Sequence, residues 1–303
     1  MWQQLVYGVV EGAMYALIAL GYTMVYGILG MINFAHGEIF MVGGYAGVLA
    51  TGLLLASGAP PFLPLLLAGG VLFAMVASSA WGATMERVAY RPLRGSPVLC
   101  PLIVAIGSSF FLSNLVMVCQ GNVRLRAPSV ARDWLVTTRL HLGGDVHVSA
   151  LEIAILGAAA VMMAGLTLFI RSTRLGRAMR ATAQDRTMAG LMGVPIDRVI
   201  AATFLIGSAL AAVAGFMWAL YNSAILYTEG YLPGMKAFTA AVLGGIGNVP
   251  GAMVGGFLLG IVEGLGVGLV SSDYKHVYAF VTLLLVLLVL PRGILGERVA
   301  EKV

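Results

Sequence analysis

The chain has 303 residues, 60% of them hydrophobic and 10% charged, with a formal net charge of +5. An ordinary soluble domain is about 25% charged, so the composition excludes a soluble globular protein and indicates an integral membrane protein. At about 20 apolar residues per crossing the chain supplies about eight transmembrane helices, and its short loops leave no room for a soluble domain. The expected fold is therefore an all-α polytopic bundle, a single transmembrane domain over residues 1–303. The positive charge sits on loop arginines, where it reports topology and contact with lipid headgroups rather than nucleic acid. Cys100 and Cys119 lie at opposite ends of one apolar segment, about 28 Å apart if helical, too far to bridge. Met1 to Gln4 has no basic run, so the first helix is expected to be its own targeting signal.

Leu5 to Leu29 is the first expected span, with Glu11 inside it and Gly8 and Gly12 spaced for close approach of another helix. MINFAHGEIF at 31–40 then sets Asn33, His36 and Glu38 between two apolar runs, which is costly at membrane depth. Ile39 to Leu55 and Phe62 to Thr84 are the second and third spans, joined by SGAPP at 57–61. Glu86 to Pro97 carries Arg87, Arg91 and Arg94, placing that loop in the cytoplasm. Val98 to Val118 runs outward, so 119–149 is expected outside despite its own arginines. Within it, RLHL and VHV flank a Gly-Gly-Asp turn, the pattern of a small hairpin with His141 opposite His147. No third metal ligand accompanies the two histidines, and a solvated face is expected.

Leu151 to Ile170 and Val199 to Leu220 are the fifth and sixth spans. Between them Arg171 to Arg198 holds six arginines against Asp185 and Asp197. The stretch reads as folded: Asp185 is a good N-cap, and Met188, Leu191 and Met192 share one helical face. Gly193 can close the helix, Pro195 follows, and Asp197 is expected to cap the next span. After an expected external stretch, Tyr221 to Lys236, the apolar run Ala237 to Leu243 is about half a membrane thick. Gly244, Gly245, Gly247, Pro250 and Gly251 break it, so a discontinuous or re-entrant helix is expected. Gly256, Gly260, Gly264 and Gly268 then recur every fourth residue, and Val277 to Leu290 is the last span. A re-entrant 237–248 puts the tail with Arg292, Arg298 and Lys302 outside; a true crossing puts it inside, which its basic charge favours. The polar breaks near 33 and 247 occupy comparable places in the two halves, a hint of inverted repeats.

No GxxxxGK[ST] loop, HExxH, CxxC pair or GxSxG elbow is present, so no enzyme chemistry or cofactor is expected. His36 and Glu38 are two apart and would not face each other on a helix. The candidate substrate pathway consists of the intramembrane polar residues Asn33, His36, Glu38 and Glu263 with the breaks at Gly244, Gly245 and Gly247. Glu263 shares a face with Gly256 and Gly260, where a bond across a helix contact is the competing role. The amphipathic stretch Asp185, Met188, Leu191, Met192 and Gly193 needs a cover for its apolar face, lipid or another protein.

Four long runs then carry a specific resemblance: YALIALGYTMVYGILGMINFAHGEIFMVGGY at 15–45, ERVAYRPLR at 86–94, TRLGRAMRATAQDRTMAGLMGVPIDRVIAATFLIG at 173–207 and MKAFTAAVLGGIGNVPGAMVGG at 235–256. They closely resemble the H-type permease subunits of bacterial high-affinity branched-chain amino acid ABC transporters. The resemblance implies a permease in the bacterial inner membrane, with a second homologous permease subunit, two cytoplasmic ATP-binding subunits and a periplasmic amino-acid-binding protein as partners. It also implies inward transport of leucine, isoleucine or valine by alternating access, with ATP hydrolysed on the partner subunits. Thr173 to Arg198 matches the ATPase-coupling loop, which gives Asp185, Met188, Leu191, Met192 and Gly193 the coupling role. The rival readings are a related permease for urea, short amides or another small polar solute, and an ion-driven secondary transporter.

Overall fold

The structure, a computed structural model, describes residues 1–58, 62–97, 99–141 and 146–296. The Gly-Gly-Asp turn and the tail residues Arg298 and Lys302 lie outside the described residues. Eight of the described helices are long and apolar enough to cross a membrane. In chain order the helices are α1 (Trp2–Leu29), α2 (His36–Ala56), α3 (Leu63–Met85), α4 (Leu99–Gln120), α5 (Ser129–Thr137), α6 (Ala150–Ser172), α7 (Arg174–Gln184), α8 (Arg186–Leu191), α9 (Ile196–Tyr221), α10 (Tyr231–Gly244), α11 (Val249–Leu269) and α12 (Lys275–Val289). Four short strands join them: β1 (Leu125–Arg126), β2 (Arg139–His141), β3 (His147–Ser149) and β4 (Ala224–Ile225).

α1 is the hub, buried over most of its length. It runs antiparallel to α11 with backbone almost touching backbone. A Cβ on Gly8 would meet the Gly260 carbonyl oxygen at 2.3 Å, and one on Gly12 would meet that of Gly256 at 2.8 Å. The glycine pair at 8 and 12 and the four-residue glycine ladder are thus two halves of one contact. Between α10 and α11, Gly244 and Gly251 meet in the same way. α2 and α9 complete the buried centre, whereas α3, α4, α6 and α12 are largely exposed; α3 turns one narrow face inward, with Ser78 donating to the Ile39 carbonyl at 3.2 Å.

The contacts sort the loops into two ends. At one end Gln3 bonds both backbone groups of His147, and β1 pairs antiparallel with β4. There β2 and β3 also pair antiparallel, with His141 opposite His147. At the other end Arg186 of α8 donates to the Ile28 carbonyl of α1, and Arg91 and Arg94 meet Asp197 of α9. Gly247, just past α10, lies beside Gly27, and Ile294 and Leu295 donate to the carbonyls of Leu243 and Gly244. Residues 290–296 therefore share the end of the arginine-rich 171–198 segment, and α10 with its following turn acts as a crossing.

Three expectations are corrected. The stretch Tyr221 to Lys236 is not all loop: α10 begins at Tyr231 and buries Lys236, so the half-span of 237–243 is part of a 14-residue helix. Residues 86–93 continue α3 as a π-helical turn at Glu86–Tyr90 and a 3₁₀ turn at Arg91–Leu93. Asp197 does not cap α9; Pro195 occupies the cap position and Asp197 lies in the first turn, where Arg91 and Arg94 take its carboxylate.

Adding volume at the α1–α11 contact forces two backbones apart. Gly260→Val is expected to lower stability by about 3 kcal/mol, read as a fall in the melting temperature of the detergent-purified protein. Gly107→Val in α4, where an added Cβ meets nothing within 4 Å, should leave it nearly unchanged.

Candidate functional site

The polar residues of MINFAHGEIF fall where α1 ends and α2 begins, turned back into the bundle. Gly30 leaves α1 in the left-handed conformation at φ 64°. His36 already lies against Gly21, where a Cβ would meet its Nε2 at 2.0 Å. Asn33, His36 and Glu38 are all buried. Asn33 Oδ1 accepts from the Ala35 N–H at 3.1 Å and from the Tyr90 hydroxyl at 2.7 Å, so it holds the first turn of α2 and ties it to the π-helical turn. Glu38 accepts from Ser109 of α4 at 3.1 Å and packs against Gly230. The Tyr22 and His36 rings meet edge to face at 5.0 Å. Asn33 Nδ2, His36 Nε2 and Glu38 Oε2 have no hydrogen-bond partner within the chain.

α10 packs against this break. Gly234 lies on Gly37, and Phe238 contacts the rings of Phe34 and Tyr22. Gly244 closes α10, Gly245 follows at φ 106° and Gly247 at φ 96°. Asn248 then caps α11 by accepting from the Gly251 N–H. The two polar interruptions named from the sequence are thus brought to the same third of α1, one through Gly21 and one through Gly27.

Glu263 sits apart from them, toward the hairpin end. It is fully buried, 2.7 Å from the Lys236 ammonium and 3.2 Å from the Tyr15 hydroxyl that donates to it. It thereby joins α11 to α10 and α1, and it also borders a cavity of about 240 Å³. Glu11 and Lys275 form a second pair at 2.6 Å across that cavity, with Tyr7 and Tyr221 beside them. In the sequence Lys236 is only a lysine followed directly by an apolar run, a pattern that reads equally well as a loop end.

At the opposite end Asp185 caps α8 by accepting from the Met188 N–H at 3.0 Å. Gly193 ends it at φ 83°, a left-handed conformation that a side chain would strain. Ala189 is buried against the body while Met188, Leu191 and Met192 are 61%, 77% and 84% exposed. α8 is one turn and a half long, and α7 before it was not expected; Thr173 caps α7, and Gly176 packs on the last carbonyls of α6. Arg186 is drawn toward the Ile28 carbonyl; burial, then the Arg94 guanidinium, holds its pKa below the ordinary value. Arg94 grips both Glu86 and Asp197, and Arg91 bonds Asp197 at 2.7 Å. Among the described residues no group of three or more potential metal ligands converges.

Lys236→Met would leave the Glu263 carboxylate buried and unpaired, at a cost of about 3–5 kcal/mol. Lys236→Met combined with Glu263→Gln is expected to recover most of that loss, as measured by thermal unfolding of the purified protein.

Residues 4–290 match the family model described as branched-chain amino acid transport system / permease component. The chain is 48% identical to the high-affinity branched-chain amino acid transport system permease protein LivH of Salmonella typhimurium and to that of Escherichia coli, over 99% of this chain and 97% of each relative. It is 49% identical to the corresponding permease protein BraD of Pseudomonas aeruginosa over the same shares. No solved structure matches.

Proposed function

The chain belongs to the family of branched-chain amino acid transport system permease components, and on that premise we propose that it carries leucine, isoleucine or valine inward, receiving its stroke at α8. It is a multi-pass inner-membrane permease of a branched-chain amino acid ABC importer and works with other subunits of that transporter. ATP is hydrolysed on two cytoplasmic partner subunits, as the family resemblance implies; the absence of a phosphate-binding loop from this chain agrees with that reading. A second homologous permease completes the membrane part, and a periplasmic binding protein delivers the amino acid.

The orientation follows from charge. Arg87, Arg91, Arg94, the six arginines of 171–198 and Arg292 share one end of the bundle, which the positive-inside rule assigns to the cytoplasm. The paired strands and α5 then face the periplasm and form the docking side for the binding protein. The observation that carries the coupling role is the exposure of Met188, Leu191 and Met192 on a capped helix at the cytoplasmic end. Three apolar side chains in water on a highly basic surface need a partner, and an apolar knob seated in a groove is a common helix-docking mode. The pathway residues are Asn33, His36, Glu38, Gly244, Gly245, Gly247 and Glu263. Transport proceeds by alternating access: ATP-driven movement of the partner subunits displaces α8, and the bundle exchanges outward-open for inward-open.

Leu191→Asp combined with Met192→Asp is expected to abolish leucine uptake and co-purification of the ATP-binding subunits while the chain still accumulates in the membrane. Normal co-purification with normal uptake would overturn the coupling role.

A further inference from the structure

α8 lies on the surface, whereas the polar break between α1 and α2 is buried; two sets of contacts connect them. The first is direct. Arg186, the first residue of α8, donates to the carbonyl of Ile28, one of the terminal carbonyls of α1 that lack an intrahelical partner. The second is indirect. α8 leads through Gly193 and Pro195 into the first turn of α9, where Asp197 is held by Arg91 and Arg94. Arg94 also holds Glu86, which opens the π-helical turn Glu86–Tyr90. The other end of that turn is the buried Tyr90, whose hydroxyl donates to Asn33 Oδ1 at 2.7 Å, and the same oxygen accepts the Ala35 N–H.

Both routes end on the segment between Ile28 and Glu38. That segment is unusual in its unpaired polar atoms: Asn33 Nδ2, His36 Nε2 and Glu38 Oε2 are buried without a partner in the chain. Buried polar groups are nearly always paired, so three such atoms within six residues set this segment apart from the apolar helices around it. π-helical turns are rare and concentrate at functional sites, and this one stands between the two groups to be linked.

We infer that Tyr90 and Arg94 are positioning residues that transmit the displacement of α8 to the Asn33–Glu38 break, with Glu86 and Asp197 as the carboxylates through which Arg94 acts. The inference rests on the coupling role of α8 proposed above. When α8 and the base of α9 move, Asp197 pulls on Arg94, the π-helical turn shifts, and the Tyr90 hydroxyl redirects Asn33 and with it the start of α2. Arg94 suits this because its planar fork grips two carboxylates at once, which a lysine cannot do with the same geometry. Coupling through such contacts is established only by a measured interaction energy between the sites.

The test uses the complete complex of this chain with its companion subunits in proteoliposomes, and reads leucine transported per ATP hydrolysed. Tyr90→Phe and Asp197→Asn should each keep the ATP-binding subunits bound and ATP hydrolysis running while transport per ATP falls about tenfold, within the range of allosteric coupling factors. Tyr90→Phe combined with Asn33→Ala should be no worse than the more severe single variant, because the two act through one contact. Unchanged transport per ATP in either single variant, or losses that multiply in the double variant, would overturn the inference. Asp197 is on the surface, so its variant decides the matter even where Tyr90→Phe fails to accumulate. Loss of the ATP-binding subunits from the Leu191→Asp, Met192→Asp protein addresses the docking role alone, so the two failures are distinguishable.

Discussion

The bundle depends on backbone packed against backbone between α1 and α11. Inside a bilayer the lipid is as apolar as leucine, so burying side chains supplies little drive and helices gain by close van der Waals contact. Glycines at 8 and 12 facing glycines at 256, 260 and 264 give that contact. It makes α1 the buried axis, and the repeat of the device at Gly244 and Gly251 draws α10 onto α11. Once three helices lie this close, Lys236 and Glu263 are buried between them, and each charge is held by facing the other, with Tyr15 bridging them.

The same packing positions the two interruptions. Because α1 is fixed by α11, the chain leaving it at Gly30 folds back to Gly21, and α10 packs over the break through Gly234 and Phe238. Polar groups that would be scattered along separate spans are gathered around one part of α1. The end of α1 is in turn capped by Arg186, so the surface helix and the buried break share a single structural element.

Features set by local sequence were legible before the fold was in hand. The long apolar runs marked the spans because nothing but a helix satisfies its backbone in lipid. Asp185 and Gly193 marked the limits of α8 because capping chemistry acts over a few residues. Features set by partners distant in sequence were not legible. Asp197 before an apolar run carries the same local signal as a cap, and only the approach of Arg91 and Arg94, about a hundred residues away, takes its carboxylate elsewhere. Lys236 looked like a loop end because its partner, Glu263, lies across a helix contact. Tyr90 gave no signal at all, since its place against Asn33 depends on how α3 crosses the start of α2.

The most direct measurement is of leucine uptake by proteoliposomes holding the purified chain with its native companions, supplied with the binding protein. Saturable uptake that requires hydrolysable ATP, is competed by isoleucine and valine and is indifferent to urea is the predicted result. Uptake that persists without ATP when an ion gradient is imposed would contradict the account.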